Sequence, residues 1–263
     1  MLLMLLAAGN GLHIPTTDEL FSWPTIGIGL NKVGLLYIVA AAISALLWLL
    51  AIRKKDMVPK GIQNLMEPLY TFIREQIVIE VMGNRADALR YIPFLGTLFT
   101  FILICNIFEV IPGINFPPTA RMAGPAFFAI LVWFVFNIQG IISQGVGHYF
   151  KGILFPPGVP WPIYILLTPI ELVSVFIVRP LTLAVRLFAN LVAGNTLLAV
   201  FLIFTSYTFS QIWKDPSPLI IISPFAFAGA VGMMGFEVFV AFIQAFIFTI
   251  LTAVYVGESL HGH

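Results

Sequence analysis

Val33–Ile52 is a twenty-residue apolar run without a charged side chain. A helix rises about 1.5 Å per residue, so a run of this length spans the roughly 30 Å hydrocarbon core of a bilayer. Arg53-Lys54-Lys55 follows at once, and basic residues gather on the cytoplasmic side of membrane helices. That places Ile52 at the inner face and the N-terminus outside. The whole chain repeats the theme: 263 residues, 60% hydrophobic and 10% charged, with a mean hydropathy of +1.01. Soluble domains carry about 25% charged residues, so the composition implies a multi-pass membrane protein.

The same numbers exclude several classes of function. A net charge of +1 gives no electrostatic basis for nucleic-acid binding. Cys105 is the single cysteine, so there is no disulfide framework and no cysteine-based metal site. His13, His148, His261 and His263 lack ligand spacing, and no metal or other cofactor is expected. No phosphate-binding glycine loop or nucleophile elbow occurs. Any nucleotide chemistry therefore belongs to a partner.

Met1–Ala8 is apolar but too short to span, and it lacks the basic flank of a signal peptide. Residues 1–32 are expected to form an external N-terminal segment, ahead of a single membrane domain over 33–263. In Pro59–Arg90, the apolar residues Leu65, Leu69, Phe72, Ile73, Ile77 and Val81 recur at helical spacing. Glu67, Arg74, Glu75 and Glu80 take the rest, so the segment predicts an amphipathic cytoplasmic helix, either docked on the bundle or a solvated linker. Spans follow at 91–112 and 122–147, joined by the proline-rich external loop Gly113–Arg121. His148 and Lys151 mark a second cytoplasmic connection. The last blocks, 163–209 and 218–259, would measure about 70 and 60 Å as single helices, twice what a crossing needs. Each is a broken pair of crossings or one tilted helix. Only Pro169, Pro180, Gly194 and the Gly229/Gly232/Gly235 series interrupt them, which favours tilt with kinks.

Inside these blocks a few polar groups stand out. Arg186 has no ionisable neighbour from Leu187 to Trp213 except Tyr207. A charge at the bilayer centre costs about 2.5 to 17 kcal/mol, and a guanidinium cannot escape by losing its proton. Arg179, Thr182, Arg186 and Asn190 lie at offsets 0, 3, 7 and 11, one stripe of a helix. Arg179 can snorkel to a headgroup; Arg186, deeper, either forms a structural ion pair or holds a fixed charge on an ion path. Glu237 stands alone between uncharged segments, with Gln244 on its face. A buried carboxylate of this kind becomes neutral easily, which suits a proton relay, or it makes one structural hydrogen bond. Glu171, fifteen residues before Arg186, reads either as a polar group of the path or as an interfacial carboxylate paired with Arg179. Glu109, at an outer helix end, reads as a surface residue. Gly229, Gly232 and Gly235 permit close packing or the near passage of a moving partner.

Arg186-Leu-Phe-Ala-Asn190 with Ala193-Gly194 resembles the signature of subunit a of the F-type ATP synthase membrane sector. Gln244–Tyr255 resembles the family's last helix. Weaker matches at Gln63–Glu67, Ile111-Pro-Gly113 with Pro118-Thr119, and Pro169-Ile-Glu171 extend the likeness over nearly the whole chain. The resemblance implies an all-α polytopic protein of about five membrane-embedded helices plus one amphipathic surface helix. The last two would be long and tilted, forming a hairpin against a rotor ring, with their turn at Ser210–Pro218 holding Lys214 and Asp215 outside. It also implies a non-catalytic stator in a bacterial plasma membrane, N-terminus external and C-terminus cytoplasmic. Its partners would be the subunit c ring, the subunit b peripheral stalk, other ATP synthase subunits and membrane lipid, with no nucleic acid.

The resemblance makes Arg186 the arginine facing the ring. Asn190, Glu237 and Gln244 match the outer proton path; Glu171 and Thr182 match the inner side. Asn195 departs from the family, where many members carry an acidic residue or histidine, so it cannot titrate but can still orient water. The implied function is conduction of protons through two aqueous half-channels to and from ring carboxylates. The lack of a clustered oxygen-ligand set favours H⁺ over Na⁺. A secondary transporter of a polar solute would instead carry an internal inverted repeat, which is not seen. A purely structural scaffold would leave Arg186 and Glu237 unexplained.

Overall fold

The computed structural model describes residues 32–53, 61–83, 85–111, 118–155, 160–211 and 219–261. The expectations for the external N-terminal segment and for most of the Ser210–Pro218 turn lie outside these. Among the described residues every regular element is helical, and five helices are long and apolar enough to cross a membrane. The protein is an all-α polytopic membrane protein.

The first crossing is α1 (Lys32–Arg53). It packs along α5 (Ile92–Ile107), where Gly96 makes room for an indole: a Cβ there would stand 2.6 Å from Trp48. Trp48 Nε1 donates to Thr100 Oγ1 at 3.1 Å, and the Ser44 and Thr100 hydroxyls lie 2.8 Å apart. The small residue and the hydroxyls hold two helices together where burial in lipid supplies little driving force.

Between these crossings the chain forms the amphipathic arm. It starts as α2 (Ile62–Phe72), widens into a π-helical stretch (Ile73–Ile79), and ends as the short α3 (Glu80–Met82). Met66 is buried in α2, which packs along α1. Ile73, Ile77, Val78 and Met82 are buried against α5 and the last helix, while Glu67, Glu75 and Glu80 are exposed. The arm is docked on the bundle rather than a solvated linker. It is also shorter than the sequence suggested. Gly83 takes φ 82°, a left-handed value that glycine adopts at little cost, and the chain turns into the separate α4 (Ala86–Leu89).

The third crossing, α6 (Ala123–Gln144), stops at Gly145 with φ 81°. A short helix, α7 (Val146–Leu154), then folds back. Its Tyr149 packs onto Gly140, where any Cβ would overlap the ring, and its hydroxyl donates to Asn137 Oδ1 at 3.1 Å. After the 3₁₀ turn Trp161–Ile163, one continuous helical run contains α8 (Tyr164–Val173), a π turn (Ser174–Val178) and α9 (Arg179–Gln211). The last helix, α10 (Leu219–His261), has 43 residues, about 64 Å at the α-helical rise. Both are far longer than a perpendicular crossing requires, so they lie tilted. They pack against one another as a hairpin, with α6 and α5 behind them.

The common core is built from Phe99, Phe136, Phe248, Leu183 and Leu187 together with the arm's Ile73 and Ile77. The opposite side of the hairpin is left bare: Val185, Phe225, Phe227, Val231, Phe236 and Phe239 are exposed. Gly232 and Gly235 have nothing within 4 Å of a Cβ position, and only Gly229 approaches a neighbour, Phe201 at 3.1 Å. Among the described residues, then, Gly232 and Gly235 serve no helix contact.

The Gly140–Tyr149 fit yields a test. Gly140→Ala should cost about 1–3 kcal/mol of stability through overpacking, read as a lowered thermal midpoint of the purified protein. Combined with Tyr149→Ala, it should lose little beyond what Tyr149→Ala loses alone.

Candidate functional site

α9 carries the polar stripe and divides cleanly into two faces. Leu183, Leu187 and Leu191 are buried toward the core, while Thr182 and Arg186 are exposed on the other side, with Asn190 half-buried. Leu181, Val185 and Leu197 surround them with exposed apolar surface. The Thr182 hydroxyl donates back to Val178 O at 2.8 Å and Arg179 O at 3.1 Å, so its polarity is spent on its own helix. Arg186 is different. Among the described residues no carboxylate pairs with it, although it sits on an apolar face.

Two polar regions flank it along the hairpin. The first lies beyond Gly194, eight residues on, or about 12 Å along the helix. Here Glu237 of α10 is buried, and a Cβ on Gly194 would stand 2.5–2.8 Å from its three carboxyl atoms. Gly194 is thus the opening that lets the carboxylate sit between the two long helices. Asn195 is buried beside Gly194, and Gln244, also buried, leaves its Nε2 without a hydrogen-bond partner.

Glu109 joins this region, and its position overturns the surface reading. It is 2% exposed, its Oε1 lacks a hydrogen-bond partner, and Glu237 is its electrostatic neighbour. The turn that ends α5 folds Glu109 inward, since Glu109 N bonds to Asn106 O at 3.1 Å. Asn106 is fully buried and accepts from Thr119 Oγ1 at 3.2 Å. Thr119 comes from the 3₁₀ turn Pro118–Ala120, which packs against α9. A second carboxylate thus stands near Glu237, supplied by a different crossing.

The other polar region lies on the opposite side of Arg186, where Arg179 precedes it by seven residues, about 10 Å. A cavity of about 60 Å³ opens there, lined by Tyr149, Glu171, Arg179, Tyr255, Glu258 and Ser259. Arg179 does not pair with Glu171. Its Nη1 donates to Glu258 Oε2 at 2.7 Å, and its guanidinium lies 5.0 Å from the centre of the Tyr255 ring. The end of α10 is fixed from a third side, where Gln144 Nε2 and Ser143 Oγ both donate to Ser259 O, at 2.7 and 3.3 Å. Burial raises the Tyr149 phenol above its usual range, and the Arg179 charge opposes that.

The residues singled out in the sequence therefore fall into three places. Arg186, Thr182 and Asn190 lie on the open stripe. Glu237, Asn195 and Gln244 are buried on one side, and Glu171 borders the cavity on the other. Glu109, Asn106 and Glu258 were not singled out as site residues. Asn106 and Glu109 are three apart, so one turn of helix joins them, and that spacing was the available signal. For Glu258 there was none, since its partner lies 79 residues away.

Chemically, one region holds carboxylates able to exchange protons, and the other a water-sized cavity edged by acidic groups. Between them stands a cation that keeps its charge. Among the described residues no group of three or more His, Cys, Asp or Glu is placed to hold a metal.

Comparison with known proteins agrees over nearly the full chain. Residues 34–257 match the family model described as ATP synthase A chain. An ATP synthase subunit a from Parafrankia sp. (strain EAN1pec) is 40% identical over 269 residues, covering 99% of this chain and 88% of the relative. One from Frankia alni is 40% identical, covering 97% and 89%. One from Rhodococcus erythropolis is 36% identical, covering 97% and 93%.

The Gly194 opening is testable by itself. Gly194→Ala should displace the Glu237 carboxylate and lower stability by about 1–3 kcal/mol. In a Glu237→Ala background the same change should cost almost nothing. Equal losses in both backgrounds, read by thermal unfolding of the purified protein, would refute the contact.

Proposed function

The chain belongs to the ATP synthase A chain family, and from that premise we propose that it is the stator that conducts protons to and from a rotating ring of subunit c. The observation that carries the proposal is Arg186: a permanent charge, exposed on an apolar face, without a carboxylate partner among the described residues. A charge in that setting calls for a counter-charge on the body that covers the face. A deprotonated carboxylate on a ring helix supplies one, and Arg186 favours its ionised form.

Protons enter from the outside through the region of Gln244, Asn190 and Asn195 and pass the carboxylates Glu237 and Glu109. They load onto a ring carboxylate, and the ring turns. Having turned, it releases them on the inner side, where Glu171 borders the cavity beside Arg179. Arg186 stands between the two paths, so a proton cannot pass straight through and must ride the ring. Each charge crossing 100 mV is worth about 2.3 kcal/mol, so several must be gathered for one ATP, which a rotary partner accomplishes. The chain is not itself an enzyme; ATP chemistry belongs to the catalytic head.

The basic residues at 53–55 and Lys151 support an external N-terminus and a cytoplasmic C-terminus in a bacterial plasma membrane. The docked arm Ile62–Met82 then lies on the cytoplasmic side, its exposed Glu67 and Glu75 available to the subunit b stalk. A cysteine at position 67 should react with an impermeant maleimide only when the inner face is accessible. Labelling from outside intact cells would reverse the assignment.

Arg186→Ala should abolish ATP-driven proton pumping and raise passive proton leak in membranes stripped of the catalytic head. Arg186→Lys should also fail to couple, because an amine loses the planar fork and can deprotonate in an apolar site. Glu237→Gln should slow pumping at least tenfold with the complex still assembled. Normal coupled pumping in Arg186→Ala would defeat the proposal.

A further inference from the structure

The helical run that carries Arg186 is not uniform, and its irregularity has a traceable cause. In the π turn Ser174–Val178 the backbone bonds reach one residue further than in an α-helix, with Arg179 N donating to Ser174 O. The next bond of that ladder would run from residue 180 to the carbonyl of residue 175. Residue 180 is proline, which has no N–H and whose ring crowds the preceding turn. Val175 is buried, so its carbonyl cannot turn to bulk water, and a buried carbonyl needs a donor. That donor comes from another crossing: Trp133 Nε1 of α6 donates to Val175 O at 3.1 Å. The indole also meets Phe176 edge-on, with ring centres 5.6 Å apart. Trp133 is held in its turn, since its own carbonyl accepts from Asn137 Nδ2 at 2.7 Å and Asn137 accepts from Tyr149.

We propose that Trp133 is a positioning residue for proton transfer: its indole N–H replaces the backbone donor that Pro180 lacks and so pins the π turn between Glu171 and Arg186. The consequence is rotational. A π turn holds about one residue more than an α turn, and one residue of slip turns a helix by about 100°. Glu171 lies before the turn, whereas Arg179, Thr182, Arg186 and Asn190 lie after it. The turn therefore fixes how the polar stripe faces relative to the cavity that Glu171 borders. Without a donor at Val175 O the segment can relax toward α geometry, and the stripe then rotates against its surroundings. The role in proton transfer rests on the function proposed above; the pinning itself does not.

The test is a double-substitution cycle in the complete complex, in inverted membrane vesicles. Trp133→Phe keeps the ring against Phe176 and removes only the donor. Pro180→Ala returns a backbone N–H to the place where it is missing. Trp133→Phe alone should lower ATP-driven proton pumping at least fivefold. Trp133→Phe with Pro180→Ala should recover more than half of it, an effect that lost bulk or lost packing would not produce. Single cysteines at 181, 182 and 185 give a second reading: their maleimide labelling pattern should shift by one position in Trp133→Phe and return in the double variant.

Normal pumping in Trp133→Phe, or a double variant no better than Trp133→Phe in pumping or assembly, overturns the proposal. Arg186→Ala run in parallel separates the two ideas. If it pumps normally the stator reading falls, while the labelling shift and its reversal still report on the pin.

Discussion

Hydrocarbon offers no hydrogen bonds, and the placement of nearly every polar group in this protein answers to that constraint. Most hydroxyls inside the crossings are spent on their own helix. Thr196, Thr205, Thr249 and Thr252 each donate to the carbonyl four residues back. Such groups cost little and leave the helix apolar to its neighbours. The polar groups that cannot be silenced in this way remain visible against them: the exposed Arg186, the buried carboxylates Glu109 and Glu237, and the amides of Asn106 and Gln244. A chain gains nothing in stability by burying such groups half-satisfied. Their position around one hairpin is the structural case for transport.

Small residues do the complementary work of admitting side chains. Gly96 accepts Trp48, Gly140 accepts Tyr149, Gly124 accepts Tyr37, and Gly194 accepts Glu237. In three of these the guest is an aromatic ring that ties one helix to the next. In the fourth it is a carboxylate, so the same packing device that joins crossings elsewhere here places an ionisable group between them. Gly232 and Gly235 accept nothing among the described residues, which sets them apart from the others.

The fold class was legible because it rests on length and charge alone: runs of this extent without charge can only be crossings, and the last two are too long to stand upright. The arm was legible from its periodicity. Its end at Gly83 and the break at Gly145 were present as glycines, but a glycine does not announce whether it will take a positive φ. The π turn at Ser174–Val178 was hidden for a related reason, since Pro180 signals a disturbance without saying how the backbone absorbs it. Arg186 and Glu237 stood out as charges in apolar surroundings. Glu109 did not, because the direction in which a turn folds after the end of a helix depends on what packs over it, here the Thr119 turn. The partner of Arg179 was out of reach altogether. Glu171 was near in sequence and Glu258 near in space, and only tertiary packing distinguishes the two.

The ion pair between Arg179 and Glu258 has a mechanical meaning beyond its charge. It joins the start of α9 to the end of α10, two helices already connected through the chain at their other ends. Gln144 and Ser143 add a tie from α6 to the same corner. Two long struts fastened at both ends and braced at one of them form a closed frame, which resists splaying and shear far better than an open fork of the same members. A sideways load on the bare face of the hairpin is then shared among α9, α10 and α6 instead of bending one helix about its turn.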